Sequence, residues 1–328
     1  MTTYPQRSRV PAPVPVPLPG TGAPARDVRV LQNATWRVGV LPGTGASVAF
    51  GQIAEGGAWL DLLRPTPLDR YVLPDECASF AMIPWSNRVA GGVLTFAGRG
   101  YRLRVNADDG TAIHGTARDF PWEVAVSTST ALVLTFDSRD FSGVNYPWPF
   151  SATITYQLTD RRFTVITEIC NQHDEPVPVG MGHHPYFVRE LTGPGDTALL
   201  QVPFEEHFEL DRALPMGPPV PLTERVDYRQ LRPLGDAFVD DCFTARTPGE
   251  PCRIVYPRSG RTVTVGSDDT FTHAVVYVPQ DVSFFAVEPV TNANDAFTLH
   301  ERGVPGSGLV EVPPGEGVRA AVWLDVDA

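Results

Sequence analysis

Seven histidines, a glutamate closing an apolar run and an arginine beside an amide are the side chains whose types and surroundings could do chemistry near neutral pH. The histidines are His114, His173, His183, His184, His207, His273 and His300, and imidazole titrates where physiological acid/base catalysis needs it. None stands in an H-x-H or H-E-x-x-H group, so the spacing that lets neighbours on one element share a metal is missing. A metal site assembled from distant strands stays open. His114 lies in Ala112-Ile-His-Gly115, where glycine lets a ligand or another backbone come close, and it also reads as a turn histidine at a strand end. His183 and His184 are adjacent in Gly182-His-His-Pro-Tyr-Phe187. On an extended segment neighbours point opposite ways, so only one of them can face a given cleft.

Glu288 follows Ser283-Phe-Phe-Ala-Val and precedes Pro289. Proline has no N–H to give a ladder, so the strand is expected to stop there and expose the carboxylate at its end. Asp240 and Asp241, in Phe238-Val-Asp-Asp-Cys-Phe243, form a second acidic candidate, although loop acids are usually just solvated. Asn87-Arg88 follows Pro84-Trp-Ser. A guanidinium fork suits hydroxyl, carboxylate or phosphate recognition, and Trp85 beside it is a candidate to stack on the apolar face of a sugar. The alternative is a surface arginine in a salt bridge.

The elements that must position these groups are strands. Phe150, Ala152, Ile154, Tyr156 and Leu158 alternate with polar residues, Thr159 to Arg162 reads as a turn, and Phe163, Val165, Thr167 and Ile169 resume the alternation, predicting a long antiparallel hairpin. Shorter strands are expected at Gly92 to Phe96 and Tyr101 to Val105 around an Ala-Gly-Arg-Gly turn, and at Leu132 to Phe136, Ala274 to Val278, Phe284 to Val287 and Val318 to Leu324. Almost nothing sustains helical periodicity. With 33 Pro and 29 Gly between the strands, the pattern predicts an all-β sandwich of many antiparallel strands whose two sheets share one core. No linker divides it, so residues 27–328 read as one domain. Residues 1–26, with the run Val10-Pro-Ala-Pro-Val-Pro-Val-Pro-Leu-Pro, read as an extended or disordered tail.

Composition removes several functions. Of 328 residues, 42% are hydrophobic, enough for a large core. Net charge is −12 and all 26 basic residues are scattered arginines, so no basic stripe awaits nucleic acid. The lack of any lysine removes Schiff-base chemistry and the phosphate-binding lysine of a P-loop. Cys77, Cys170, Cys242 and Cys252 contain no C-x-x-C pair and read as reduced thiols, with a Cys242 to Cys252 bridge as the alternative. No apolar run matches a membrane span and no secretory leader is evident, which leads to the expectation of a cytoplasmic protein with no membrane partner.

The order of the motifs is more informative than any one of them. Asn87-Arg88-Val-Ala-Gly-Gly, Phe96-x-Gly-x-x-Tyr101-x-Leu-x-x-Asn106, His114-Gly115, Tyr146-Pro-Trp-Pro-Phe150, His184-Pro-Tyr-Phe187, Asp240-x-x-Phe243 and Glu288-Pro-x-Thr291 together resemble the aldose 1-epimerase (galactose mutarotase) family, from about Trp36 to the C-terminus. The resemblance implies a galactose-mutarotase-like β-sandwich and a cofactor-free isomerase acting on a monosaccharide, as monomer or homodimer. It makes Glu288 the catalytic base and His184 the acid, with Asn87, Arg88, His114 and Asp240 holding the sugar. Trp85, Trp148 and Phe285 are candidates to cover its apolar face. After Pro289 the chain reads Val-Thr-Asn-Ala-Asn-Asp, without the Pro-Asn-Ala common in galactose-specific members, so the preferred aldose stays open, as does the choice between Asp240 and Asp241. The rival readings are a glycosidase pairing Glu288 with Asp240, a non-catalytic sugar-binding or sensing domain on the same fold, and a hexose-phosphate epimerase, which would need further arginines around the pocket.

Overall fold

The computed structural model describes residues 27–327; the proline-rich segment 1–26 lies outside them. The hairpin Phe150–Thr159 with Arg162–Asn171 forms in the expected register, Thr159 pairing Arg162 across a two-residue turn in which Asp160 takes a φ of 47°. It sits at the centre of a nine-stranded antiparallel sheet, where it meets Ala131–Asp137 on one side and Gly317–Val326 on the other. The second main sheet has eight strands, seven along its path and one pairing beside it. At its centre Val239–Arg246, His273–Val278 and Phe284–Val290 lie side by side, with Gly182–His183 and Tyr186–Val188 both pairing the last of them. A four-stranded sheet from the N-terminal part of the chain, Arg29–Gln32 to Ala58–Asp61, completes the body.

The two large sheets face each other over one core. Ile154, Tyr156, Phe163, Val165 and Val322 meet Val239, Phe243, Val276, Phe285 and Val287 there. The eight-stranded sheet is also covered on its other face, where Phe80, Met82, Tyr186, Cys242, Val275 and Ala286 form a separate apolar cluster. That second burial explains the sequence of Phe284–Val290. A strand wet on one face alternates, whereas one covered on both reads as a continuous apolar run, and all residues from Phe285 to Val290 are buried.

Two expectations are corrected here. The hairpin near residue 97 turns on Ala97 and Gly98 alone, both at positive φ, so Phe96 pairs Arg99 and the strands are Val93–Phe96 and Arg99–Arg102. A two-residue turn with both central residues left-handed matches the twist of the strands it joins. More important, the strand carrying Glu288 does not stop at Pro289 but runs on to Val290. Tyr186–Val188 pairs it only up to Ala286 and Gly182 pairs it only at Val290, so Pro289 lies opposite a break in the ladder, where a missing N–H costs little.

All four cysteines are free thiols. Among the described residues no helix is long and apolar enough to cross a membrane.

Candidate active site

Alternation across paired strands decides which side chains share the second face of the eight-stranded sheet. Asp240 lies opposite Tyr277, Tyr277 opposite Ala286 and Val275 opposite Glu288, so Asp240, Tyr277 and Glu288 project to one side. Asp241 projects to the other. There its two oxygens accept from Arg225 Nη1 and Nη2 at 2.8 Å each, and His207 Nδ1 stands 3.1 Å away. The structure thus brings Asp240, not Asp241, to the face that holds Glu288.

Glu288 is buried, not exposed at a strand end as the proline suggested. Its Oε1 stands 3.2 Å from Nε2 of His184, which is buried too. The neighbouring His183 turns the opposite way, into the core between the sheets, where its Nε2 lies 2.8 Å from Thr167 Oγ1. His184 is packed between aromatic rings, stacked on Phe80 at 4.8 Å and tilted against Tyr186 at 4.3 Å. His114 stands edge-on to His184 at 5.5 Å between ring centroids.

Asn87 and Arg88 approach from a separate segment that is fastened to the chain just beyond Glu288. Asn292 accepts from the Ser86 N–H and hydroxyl through its Oδ1, at 3.1 and 2.8 Å, and returns its amide to the Ser86 carbonyl at 3.2 Å. Asp295 accepts from Ala90 N–H and donates its own N–H to the Arg88 carbonyl. Asn87 takes a φ of 55° and its carbonyl accepts from the His114 N–H, which joins this segment to the histidine turn. Arg88 is then held by three neighbours: Nε donates to Asp109 at 2.8 Å, Nη1 to Asn87 Oδ1 at 3.2 Å, and Nη1 lies 3.7 Å from Asp240.

Gly115 is the tight point of this bracket. Its φ is +70°, and a Cβ there would collide with the Ile83 backbone, to which the Thr116 N–H also donates. We expect Gly115→Ala to lose about 1–3 kcal/mol of stability in urea titration, the range for a strained backbone position, and to displace His114. Unchanged stability would mean that the turn relaxes freely.

The electrostatics follow from burial. Desolvation pushes the Glu288 carboxyl well above the usual carboxylate range and the charge of Asp240 pushes it further, with Arg88 opposing. Burial, reinforced by the Arg118 guanidinium, holds the His184 imidazole down to about 3. The same two causes hold His114 well below its ordinary value. Burial also raises Asp240, with Arg88 again opposing. Both imidazoles are therefore neutral near pH 7, beside a carboxyl that keeps its proton unusually readily.

All six residues singled out in the sequence, Asn87, Arg88, His114, His184, Asp240 and Glu288, meet in this one place. The aromatic candidates do not. Trp85 and Phe285 are fully buried in the main core, and Trp148 packs among Tyr101, Tyr146 and Phe96. Phe80, Tyr186 and Tyr277 hold the aromatic positions instead. Sequence reasoning also missed Asp109, Arg118 and Asn292. Of these only Arg118 had a signal, four residues beyond His114 in His114-Gly-Thr-Ala-Arg. Among the described residues no three of His, Cys, Asp and Glu converge as a metal-ligand group.

Comparison with known proteins places this geometry in context. A family model described as aldose 1-epimerase matches residues 30–324. The uncharacterized protein YphB of Escherichia coli K12 is 27% identical over 288 residues, covering 84% of this chain and 93% of that one. Among solved structures, a galactose mutarotase-like protein of Clostridium acetobutylicum superposes with a TM-score of 0.80 at 17% identity, covering 91% and 94% of the two chains. The galactose 1-epimerase of Lactobacillus acidophilus gives 0.74 at 15%, covering 91% and 93%. At such identities these two likenesses speak for the galactose-mutarotase-like sandwich.

Proposed function

The chain belongs to the aldose 1-epimerase family, and on that premise we propose that it interconverts the α and β anomers of an aldose by acid/base ring opening and reclosure. The observation that carries the reading is the 3.2 Å approach of His184 Nε2 to Glu288 Oε1, at a place where Asn87, Arg88, His114 and Asp240 supply hydrogen-bonding groups. Anomer exchange removes the proton from the C1 hydroxyl and delivers one to the ring oxygen. The C1–O5 bond breaks, C1 becomes an aldehyde carbon, rotation about C1–C2 presents its other face, and reclosure returns both protons. No redox agent, metal or covalent nucleophile enters that balance.

Glu288 and His184 hold one shareable proton between them. With the proton on Glu288 both groups are neutral; with it on His184 the pair is a carboxylate and an imidazolium, the base and acid that ring opening requires. Sugar hydroxyls contacting Glu288 favour the second arrangement, whereas the negative charge of Asp240, which raises the Glu288 carboxyl, favours the first. Arg88 and His114 serve as donors to the ring oxygen side and Asp240 as a hydroxyl acceptor. Each positioned acid or base contributes about 10²–10⁴-fold, sufficient for a reaction that water already performs slowly.

A screen of anomer exchange by polarimetry or NMR saturation transfer over glucose, galactose, xylose, arabinose, fucose and hexose 6-phosphates tests the reading. Acceleration of at least one neutral aldose is expected. Binding without exchange would make the chain a sugar-binding domain instead.

The pH profile gives a second, independent test. The pair works with one shared proton, and loss of that proton from the raised Glu288 carboxyl ends activity, so kcat/KM should fall on the alkaline side through a limb lying above the ordinary glutamate value of about 4.3. Asp240→Asn removes a charge that raises Glu288, so the limb should move to lower pH whatever happens to the plateau. A limb that stays put or moves up would show that Glu288 is not the group being titrated.

A further inference from the structure

Among the described residues Arg118 is the one arginine that is buried, at 4% exposure. Arginines almost never go below the surface unless a carboxylate goes with them, and here none does. Its Nη1 donates to Asp75, which is 65% exposed, and Asp119, 47% exposed, stands 3.9 Å from Nε. Nε itself is buried and meets no hydrogen-bonding atom among the described residues. Taking a charge out of water in this way costs stability, so the position calls for another reason.

That reason lies in what the guanidinium faces. Its carbon stands 5.1 Å from the centre of the Phe80 ring, a cation–π distance, and the same ring stacks on His184 at 4.8 Å and meets His114 edge-on at 5.5 Å. One buried ring thus touches the cation and both imidazoles, and across a buried contact charge is screened least. His184 has little else to support a positive charge. Glu288 faces its Nε2, but its Nδ1 meets no acceptor among the described residues, and Tyr186 and His114 pack around it as rings. Two other cations lie near. Arg64 is spread over the Tyr186 and Phe284 rings and donates to the Cys77 carbonyl, and Arg88 is held by Asp109 with Asp240 3.7 Å away. Of the three, Arg118 opposes an imidazolium at His184 most strongly.

We propose that Arg118 is a positioning residue for the shared proton: its buried charge beside Phe80 keeps that proton on Glu288 until a sugar binds, and makes His184, once protonated, quick to give it up. The inference rests on the anomer-exchange reading for what the proton does. Glu288 takes the C1 hydroxyl proton as His184 gives its own to the ring oxygen, a weak base that a reluctant imidazolium protonates more readily, and reclosure reverses both transfers.

The pH profile of anomer exchange tests this, measured beside the histidine ring signals by NMR in the sugar-free full chain. Arg118→Met keeps the length of the side chain without its charge. The pair then holds its proton more easily, so the alkaline limb of kcat/KM should move up by about half to one pH unit, with kcat falling about tenfold and KM little changed. His184 should protonate at higher pH than in the parent. Thermal unfolding should stay at the parental temperature or above, since an apolar chain replaces a buried cation. Arg118→Lys keeps the charge and should bring the limb back towards its parental place. Asp75→Asn, made at an exposed residue, leaves the cation uncompensated and should move the limb slightly down; it decides the question should Arg118→Met not fold. A limb unmoved in Arg118→Met, or unmoved or raised in Asp75→Asn, would make Arg118 a merely structural residue. If no sugar exchanges anomers, the mutarotase reading fails and the ring signals alone decide: protonation of His184 at higher pH in Arg118→Met upholds the placement of the charge, and identical titrations overturn it.

Discussion

Glu288→Gln will lose turnover by at least about 10²-fold while sugar affinity changes little. Glutamine keeps the size of the side chain and can still hydrogen-bond a C1 hydroxyl, but it cannot accept that hydroxyl's proton. Folding should not confuse the result. Glu288 sits in the interior of the sheet with its carboxyl raised by burial, so the change removes a group that resists ionisation there, and thermal unfolding should occur at the parental temperature or above. The alkaline limb that Glu288 sets should vanish from the pH profile with the carboxyl. Isothermal titration beside the anomer-exchange rate separates the alternatives. A fully active variant would leave only a sugar-binding sandwich, and lost affinity at an unchanged rate would make Glu288 a ligand contact and move the base to Asp240.

How far the sequence could be read depended on whether a residue's neighbours lay nearby in the chain. The Phe150–Asn171 hairpin was legible because one of its faces is buried and the other is not, which writes a period of two into the residues. The placement of Glu288 was not, because its strand is buried on both faces and the break opposite Pro289 is made by residues 182–188, a hundred positions away. Reading that proline as a stop was sound for a fully paired strand and wrong for this one. Trp85 failed for a related reason. Its position three residues before Arg88 suggested the site, yet the chain turns at Asn87 between them, and its ring lies in the core against Tyr146 and Phe297.

The recognition of the six site residues came from the order of motifs that resemble a family, not from their local chemistry, since each alone read as well as a structural residue. Asn292 shows what that route leaves out. It stands in the Val-Thr-Asn-Ala-Asn stretch that departs from the galactose-specific pattern, and it holds the Ser86 backbone and so sets where Asn87 and Arg88 enter. A departure from the family pattern in the sequence is, in the structure, a fastening between the Glu288 strand and the segment that carries Arg88. Asp240 and Asp241 show the converse. Their adjacency left the choice open, and strand alternation resolves it, because opposite faces of the sheet give one to Arg88 and the other to Arg225.

His184→Ala will cut turnover by about 10²–10⁴-fold, and His183→Ala will change it far less for each folded molecule, although both remove a buried imidazole from neighbouring positions. The two rings do different work because the chain is extended there. His184 reaches Glu288, and on the proposed mechanism its removal takes away the group that delivers a proton to the ring oxygen. His183 reaches Thr167 across the sandwich, so its removal leaves a gap between the sheets and a hydroxyl without its partner, a loss of stability of about 1–3 kcal/mol for the unpaired group. Urea titration therefore should register His183→Ala strongly, and the exchange rate, corrected for the folded fraction, should register His184→Ala. His184→Gln sharpens the contrast, since it keeps a hydrogen-bonding side chain near Glu288 and cannot carry the proton as an imidazolium does. Its turnover should stay close to that of the alanine variant. Equal losses of corrected turnover at positions 183 and 184 would show that the histidines act only by holding the segment in place, and the acid would then have to be sought at His114, whose ring stands 5.5 Å from that of His184.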